Sequence, residues 1–131
     1  YDPLTKTKGT TNALVSLVDI YPTLVELCKL EPPKNQLDGE SLVRIFNNLD
    51  SKGKEHVFIK RKNGFTLKTR QYSYTEFINA KNNKTIDKML YDHRSNKTEN
   101  RNVAVKEEFG KIVLELSNIL HSKFKENIQG K

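Results

Sequence analysis

The sequence has one cysteine, no tryptophan and no long hydrophobic run. The single cysteine, Cys28, excludes a disulfide within the chain, and its apolar neighbours predict a small buried side chain near a helix end. No apolar stretch approaches the roughly 18 residues of a transmembrane helix, and no signal-peptide pattern opens the chain. We therefore expect a globular domain without an internal disulfide or a membrane span.

The net charge is positive, because 23 Lys and Arg stand against 16 Asp and Glu, giving +7 in 131 residues. A basic balance favours polyanionic partners such as nucleic acid, anionic lipid or sulfated polysaccharide. The lysines form no block of five or six, so a solvated Lys-rich surface explains the charge more simply.

No complete catalytic or metal-binding motif is present. The histidines His56, His93 and His121 include no pair four residues apart on one predicted helix, and no Cys/His cluster exists, so a zinc site is not expected. Phosphate-binding loops and nucleophile-elbow motifs are also missing. Asp92 followed by His93 invites a catalytic interpretation, but a polar turn after a strand explains the pair more simply. We predict no catalytic and no metal-ligating residue in this chain.

The first third of the chain carries two helical patterns. Ser16 and Asp19 have the spacing of a capping box, which marks the start of a helix. The apolar residues that recur there at helical intervals are Leu17, Ile20, Leu24 and Leu27. After a turn at 37–41, a short apolar stretch at 42–46 predicts one or two further helical turns.

The rest of the chain predicts a sheet followed by a helix. The four strand candidates are residues 56–60, 65–69, 72–77 and 89–92. Asn63 and Gly64 are a strong hairpin signal, because both tolerate the positive φ of a type I′ turn. The apolar stripe of the last helix consists of Phe109, Ile112, Val113, Leu116, Ile119, Leu120 and Phe124. The predicted fold class is α+β, a four-stranded antiparallel sheet with a packed C-terminal amphipathic helix.

Two tyrosines of the third strand candidate admit two interpretations. Tyr72 and Tyr74 share a face with Glu76, and with Lys68 and Arg70 nearby they could stack RNA bases on a basic sheet. The core face of a strand explains the alternation more simply, and no RNA-recognition signature is present. We expect no nucleic-acid partner.

Three blocks, in order, resemble the C-terminal part of the sulfatase family. Residues 15–27 (Val-Ser-Leu-Val-Asp-Ile-Tyr-Pro-Thr-Leu-Val-Glu-Leu) and 37–42 (Leu-Asp-Gly-Glu-Ser-Leu) resemble V-D-I-Y-P-T-L-x-E-L and L-D-G-x-S-L. Residues 64–76 resemble G-x-S-I-R-T-x-x-Y-R-Y-T, and residues 90–102 resemble L-Y-D-x-x-x-D-P-x-E-x-x-N. The chain looks most similar to the iduronate-2-sulfatase-like branch.

The resemblance implies a fold and a missing catalytic domain. Sulfatases have a large α/β N-terminal domain and a smaller C-terminal subdomain with a four-stranded antiparallel sheet and a helix. Residues 1–54 would then be the tail end of the N-terminal α/β sulfatase domain with a linker, and 55–131 the C-terminal subdomain. The chain lacks an initiator Met, so we expect a truncated or cleaved part of a longer protein. Lys29, Lys68 and Met89 stand where the family usually has Gly, Arg and Glu, which indicates a divergent member.

The resemblance also implies where the chemistry lies. The family's nucleophile is a formylglycine made from Cys or Ser in Cys/Ser-x-Pro-x-Arg, and a divalent cation, usually Ca²⁺, stabilises the charged oxygens. Cys28 is followed by Lys29 and Leu30, and no serine begins that motif. We therefore expect Ca²⁺ and formylglycine in the missing N-terminal domain, no cofactor in this chain, and no activity from this chain alone.

What this segment can contribute is support for the fold and a rim for the substrate cleft. Sulfated glycans are polyanions, so positive side chains near the predicted hairpin could attract them. The predicted basic rim consists of Lys60, Arg61, Lys62, Lys68 and Arg70. A solvated hairpin is the simpler alternative, since exposed lysines are usually only solvated.

The expected partners are the N-terminal sulfatase domain or chain and a sulfated polysaccharide. By family habit, the parent protein would be exported (periplasmic or secreted) or lysosomal. The rival hypothesis is a freestanding, non-enzymatic basic module that binds anionic polymers. Its support is the +7 charge and the basic hairpin.

Overall fold

The computed structural model describes residues 8–32, 34–35, 37–95 and 98–124. The chain divides into two compact units, Tyr1–Glu55 and His56–Lys131. The assignment of the first unit to the end of an upstream α/β domain stays a prediction.

The first unit contains two short helices. A 3-10 helix at Leu17–Asp19 runs directly into α1 at Ile20–Leu27, and α2 covers Val43–Asn47. The predicted capping box is present, with the backbone N–H of Ser16 donating to Asp19 Oδ2 at 2.8 Å. Both predicted helices are therefore confirmed, the first of them opening as a 3-10 turn.

The apolar stripe of α1 lies on the exposed side of the helix. Leu17 is 84% exposed and Leu24 is 53% exposed. The buried side chains of this segment are Asp19, Thr23 and Val25. Cys28 follows Leu24 by four residues and so shares its face. It is exposed as well, and the prediction of a buried thiol is wrong.

The second unit contains one four-stranded sheet. Its strands are β1 at Val57–Arg61, β2 at Gly64–Lys68, β3 at Tyr72–Ile78 and β4 at Thr85–Asp92. Each strand pairs antiparallel with the next, so the order in the sheet is β1-β2-β3-β4. The predicted antiparallel meander is confirmed.

The β1–β2 hairpin turns one residue earlier than predicted. Arg61 and Gly64 are opposite each other, so Lys62 and Asn63 form the turn, and Lys62 has the positive φ of 53°. Gly64 begins β2 instead, and a Cβ there would lie 3.3 Å from the Phe77 ring. The absence of a side chain at Gly64 therefore makes room for the Phe77 ring and does not serve to supply a positive φ in the turn. The type I′ assignment to Asn63 and Gly64 is wrong.

β4 is eight residues long and begins at Thr85, whereas the sequence predicts a strand only from Met89. Its first residues are polar or exposed and show no alternation that marks a strand. Pairing with β3 nevertheless extends it, with Lys88 opposite Glu76. An edge strand can be this polar, because it has a paired neighbour on one side only.

The last helix, α3, covers Gly110–Lys123, follows a 3-10 turn at Glu107–Phe109 and packs on β2 and β3. The buried core of this unit comprises Phe65, Leu67, Tyr72, Tyr74, Ile78, Leu90, Val103, Leu116 and Leu120. Phe124, just after α3, packs edge-on against Phe65 with ring centroids 5.1 Å apart. The predicted α+β class, a four-stranded sheet covered by a C-terminal amphipathic helix, is confirmed.

Candidate functional site

The predicted basic rim separates into two groups. Lys60 and Arg61 end β1 and Lys62 lies in the turn, whereas Lys68 ends β2 and Arg70 lies in the next turn. The length of β2 separates the groups, about 13 Å at 3.3 Å per residue. Lys60, Arg61 and Lys62 therefore lie at the β1–β2 hairpin, whereas Lys68 and Arg70 lie at the opposite end of the sheet. A role of either group in binding a glycan stays a prediction.

The Lys68 ammonium is engaged by an acidic partner. Its Nζ lies 3.5 Å from Glu99 Oε1, and the same oxygen is 2.6 Å from His93 Nε2. Partial burial would raise the pKa of Glu99, but the hydrogen bond from His93 and the charge of Lys68 outweigh it and lower that pKa. The carboxylate thus joins the end of β2 to the segment after β4.

Asp92 and Arg94 form a second polar group at this end of the sheet. Asp92 ends β4 and is buried, and its carboxylate accepts hydrogen bonds from Arg94 Nε at 2.9 Å and Nη2 at 2.7 Å. Arg94 Nη2 also donates to Tyr72 Oη at 2.6 Å, and the guanidinium carbon lies 5.1 Å from the Tyr72 ring centroid. The hydrogen bond from Arg94 lowers the pKa of Asp92, so this carboxyl is held ionised. A polar turn after the strand, as predicted for Asp92 and His93, accounts for the hydrogen bonds between Arg94 and Asp92. It does not account for the contact between Arg94 and Tyr72.

A cleft of about 240 Å³ lies beside Asp92. Its lining consists of Asp92, Ser95, Asn100, Arg101, Val103, Lys106, Glu108 and Phe109. Hydrogen-bond donors, acceptors and one aromatic ring therefore line the cleft, and its volume is below the roughly 300 Å³ of common small-molecule sites. The sequence alone did not indicate this cleft.

The most buried charged group of the second unit is Glu76 on β3, whose residue is 0% exposed. Its Oε1 accepts from Tyr74 Oη at 2.5 Å and from Ser117 Oγ at 2.6 Å. Its Oε2 accepts from Thr85 Oγ1 at 3.0 Å and lies 2.9 Å from His121 Nε2. Burial would raise the pKa of Glu76, but these hydrogen bonds, led by that of His121, lower it to about 2.

The Glu76 cluster was not predicted, although two signals existed. Glu76 continues the buried face of Tyr74, and Ser117 and His121 are four residues apart on α3, which places them on one helix face. Serine, histidine and carboxylate are also the members of a hydrolytic triad. Here Ser117 and His121 both bind the carboxylate, so the hydroxyl is not activated by the imidazole as a nucleophile requires. The arrangement joins sheet and helix.

The first unit has its own buried carboxylate, Asp19, at 0% exposure. Its oxygens accept hydrogen bonds from the backbone N–H groups of Ser16 and Glu40, at 2.8 and 3.0 Å, and from Lys54 Nζ at 2.6 Å. Burial would raise the pKa of Asp19, but Lys54 and the backbone donors lower it. This residue holds three segments of the unit together.

In the described part of the chain, no three His, Cys, Asp or Glu side chains come together in a way that could hold a metal ion. The placement of Ca²⁺ and formylglycine in an upstream domain stays a prediction. Within the described residues, none of the helices has the length and apolar character to span a bilayer.

No family model and no curated protein matches the sequence. Solved structures do match, and one is a protein labelled 4S-sulf from glycosaminoglycan metabolism in Bacteroides thetaiotaomicron (TM-score 0.69, 20% identity, 86% of this chain and 27% of that chain). A second is a 2-O GAG sulfatase (TM-score 0.64, 21% identity, 82% and 24%). A third is a phosphonate monoester hydrolase of Agrobacterium radiobacter (TM-score 0.64, 21% identity, 84% and 25%).

The chain spans about a quarter of the length of these matching proteins. A likeness at this identity establishes the fold, whereas the reaction depends on a site that a fold does not specify. The matched portion contains both the helical segment and the sheet with its helix, because it covers more than four-fifths of this chain. The chain therefore has the fold of the C-terminal part of a sulfatase, the family that its sequence blocks resemble.

Proposed function

We propose that this chain is the C-terminal part of a sulfatase that hydrolyses sulfate esters of a sulfated glycan. The observation that carries the proposal is agreement between two independent comparisons. The three sequence blocks resemble sulfatases in order, and the fold matches a 2-O GAG sulfatase over 82% of this chain. The finer assignment to iduronate-2-sulfatase-like enzymes rests on the sequence blocks. A sulfated glycan as substrate is supported by the structural similarity to the 4S-sulf protein of glycosaminoglycan metabolism and to the 2-O GAG sulfatase.

In this proposal the reacting groups belong to an upstream domain. That domain would supply the formylglycine and Ca²⁺, which provide the nucleophile and the charge stabilisation for ester cleavage. The parent protein would be exported or lysosomal. The present chain contributes structural support and surfaces that face the upstream domain or the glycan.

The exposed face of α1 is the surface that we assign to the upstream domain. Leu17, Ile20 and Leu24 are each about half exposed or more. Apolar residues clustered on one helix face mark an interaction surface when they are exposed together. Replacing Leu17 and Leu24 by Lys should reduce self-association of the isolated chain in sedimentation experiments. The same changes should lower the melting temperature of the complete protein, and an unchanged melting temperature would contradict this assignment.

The hairpin group of the predicted rim remains our proposal for attraction of the glycan. Lys60, Arg61 and Lys62 concentrate positive charge at one end of the sheet. Charges of this kind raise the rate of encounter with a polyanion and act less at high salt. Replacing all three by Ala in the complete enzyme should therefore flatten the salt dependence of kcat/KM for a sulfated oligosaccharide. An unchanged salt dependence would exclude this role.

The experiment that tests the main proposal uses the complete protein with its upstream sequence. Purified protein is assayed for release of sulfate from an aryl sulfate and from a sulfated disaccharide, with a phosphonate monoester as a third substrate. We expect sulfate release that depends on the formylglycine motif upstream. Cleavage of the phosphonate alone would assign the chain to a different hydrolase of the same fold. Binding of anionic polymers without any hydrolysis would favour the non-enzymatic basic module.

A further inference from the structure

Arg94 is held in one orientation by three hydrogen bonds. Its Nε and Nη2 donate to the two oxygens of Asp92, and Nη2 also donates to Tyr72 Oη. Asp92 and Tyr72 are directly opposite each other in the sheet, so the two acceptors are themselves fixed by strand pairing. The side chain of Arg94 is nevertheless 56% exposed. The guanidinium is therefore immobilised at the surface.

The two N–H groups of Nη1 are the donors that these contacts do not use. Among the described residues no acceptor is found for them. Each of these N–H groups can donate a charge-assisted hydrogen bond to a carboxylate, phosphate or sulfate oxygen. Because Asp92 and Tyr72 already fix the side chain, binding an oxyanion would require little further loss of conformational freedom.

The cleft beside Asp92, the partner of Arg94, is lined by charges of both signs, Arg101 and Lys106 against Asp92 and Glu108. Asp92 forms part of its wall and is neutralised by Arg94, while Arg101 and Lys106 bring positive charge to the lining. Lys106 is 3.2 Å from Glu108, but both side chains are more than one-third exposed, so that pair is weak in water. The small volume suits one sugar ring or one oxyanion better than a larger ligand.

We propose that Arg94, together with Arg101 and Lys106 of the cleft, binds a sulfate group carried by one sugar of the glycan. The identity of the glycan rests on the proposed function. The site lies at the end of the sheet opposite the Lys60–Lys62 hairpin, so it is a separate contact from the hairpin group of the rim. Phe109, also in the lining, offers an apolar surface to the sugar ring.

The test measures binding to the full 131-residue chain by NMR titration at fixed salt. The probes are a heparin tetrasaccharide, its fully desulfated counterpart and sodium sulfate. We expect the sulfated tetrasaccharide to shift backbone amides at 92–95 and 101–109 and to bind more tightly than either other probe. Equal binding of the desulfated sugar, or shifts confined to the 60–62 hairpin, would overturn the proposal. If sodium sulfate binds as tightly as the tetrasaccharide, the sugar contributes nothing to binding, and the proposal that the sulfate group is carried by a sugar would be overturned.

Variants separate the guanidinium from general charge. Arg94→Ala should weaken tetrasaccharide binding about tenfold, because a charge-assisted hydrogen bond is lost. Arg94→Lys keeps the charge but loses the planar guanidinium that Asp92 and Tyr72 hold in place, so it should recover only part of the affinity. Lys106→Gln should weaken binding without exposing the core. Lys81→Gln, which removes an exposed charge at the opposite end of the sheet, should change affinity less than twofold.

Folding of Arg94→Ala is checked first, because this change leaves Asp92 without its main partner. If that variant unfolds, Arg94→Lys and Lys106→Gln decide the question, and wild-type affinity in both would refute the site. Hydrolysis is not the readout here. A complete protein without sulfatase activity would therefore contradict the proposed function, while binding at Arg94 would stand or fall on the titration.

Discussion

The carboxylate of Glu76 on β3 and the imidazole of His121 on α3 lie 2.9 Å apart, although 45 positions separate them in the chain. The same carboxylate accepts a hydrogen bond from Ser117, one turn earlier on α3. A buried carboxylate is tolerated only when donors replace the water that it has lost. The helix therefore covers the sheet with a stripe of apolar residues and also supplies two donors to a charge within the core.

Replacing Glu76 by Gln should lower the free energy of unfolding by about 2–3 kcal/mol, because one amide NH₂ would then face groups that donate to the carboxylate. The measurement is urea unfolding followed by a signal from the second unit. Glu99→Gln is the matched control, since Glu99 also binds a histidine but its side chain is 36% exposed. Glu99→Gln should lower the free energy of unfolding by less than about 1 kcal/mol. Equal losses for both variants would contradict a special role for Glu76.

The low pKa of Glu76 predicts a pH dependence of stability. Its pKa is lowered from 4.5 to about 2 on folding, so the folded state favours the ionised form. The stabilisation is complete above the unfolded value and is lost as pH falls through the folded one, a change of about 3 kcal/mol. The stability difference between wild type and Glu76→Gln should therefore shrink between pH 5 and pH 2. A difference that is constant over this window would contradict the assignment.

Two glycines should respond oppositely to alanine. A Cβ at Gly39 would lie 2.0 Å from the carbonyl oxygen of Val18, so backbone must move. We expect Gly39→Ala to destabilise the first unit by about 1–3 kcal/mol, measured by faster amide exchange in α1. A Cβ at Gly110 would meet nothing within 4 Å. Gly110→Ala should be neutral or stabilising by up to about 1 kcal/mol, since Ala favours helix. A comparable loss at both positions would refute the close contact at Gly39.

Two leucines of α3 test which face of the helix is in the core. Leu120 is 0% exposed and Leu114 is 64% exposed. Leu120→Ala should destabilise the second unit by about 2–5 kcal/mol through lost apolar burial and the cavity left behind. Leu114→Ala should change stability by no more than about 0.5 kcal/mol. Thermal unfolding of the two variants provides the comparison, and similar melting temperatures would mean that the helix packs by another face.

Asp19→Asn should weaken the first unit by about 2 kcal/mol, because the charged acceptor of Lys54 and of two backbone N–H groups is lost. Amide exchange at Ser16 and Glu40 reports this directly. Asp38→Asn, a nearby acidic change with an exposed side chain, serves as the control. Faster exchange is expected only for the Asp19 variant. Identical rates in the two variants would show that these contacts do not stabilise the unit.

Much of the fold could be predicted because its signals are local. The capping box at Ser16 and Asp19, the apolar stripe of α3 and the alternation in β3 each depend on residues close in sequence. The first half of β4 could not be predicted, because its polar residues become a strand only through pairing with β3. The exposure of Cys28 was missed for a similar reason, since a periodic pattern shows which residues share a face but not whether that face is covered.

The order and type of the elements, the positive charge and the resemblance to sulfatases all follow from the amino-acid sequence alone. Packing and register bring together polar groups that are distant in the chain, Glu76 with His121 and Tyr72 with Arg94. The pairing of β1 with β2 also sets Lys68 apart from Lys60. Helix and strand periodicity arise from neighbouring residues and can be read along the chain. Contacts between residues more than 20 positions apart depend on register and packing, which are set when the sheet pairs and the helix covers it.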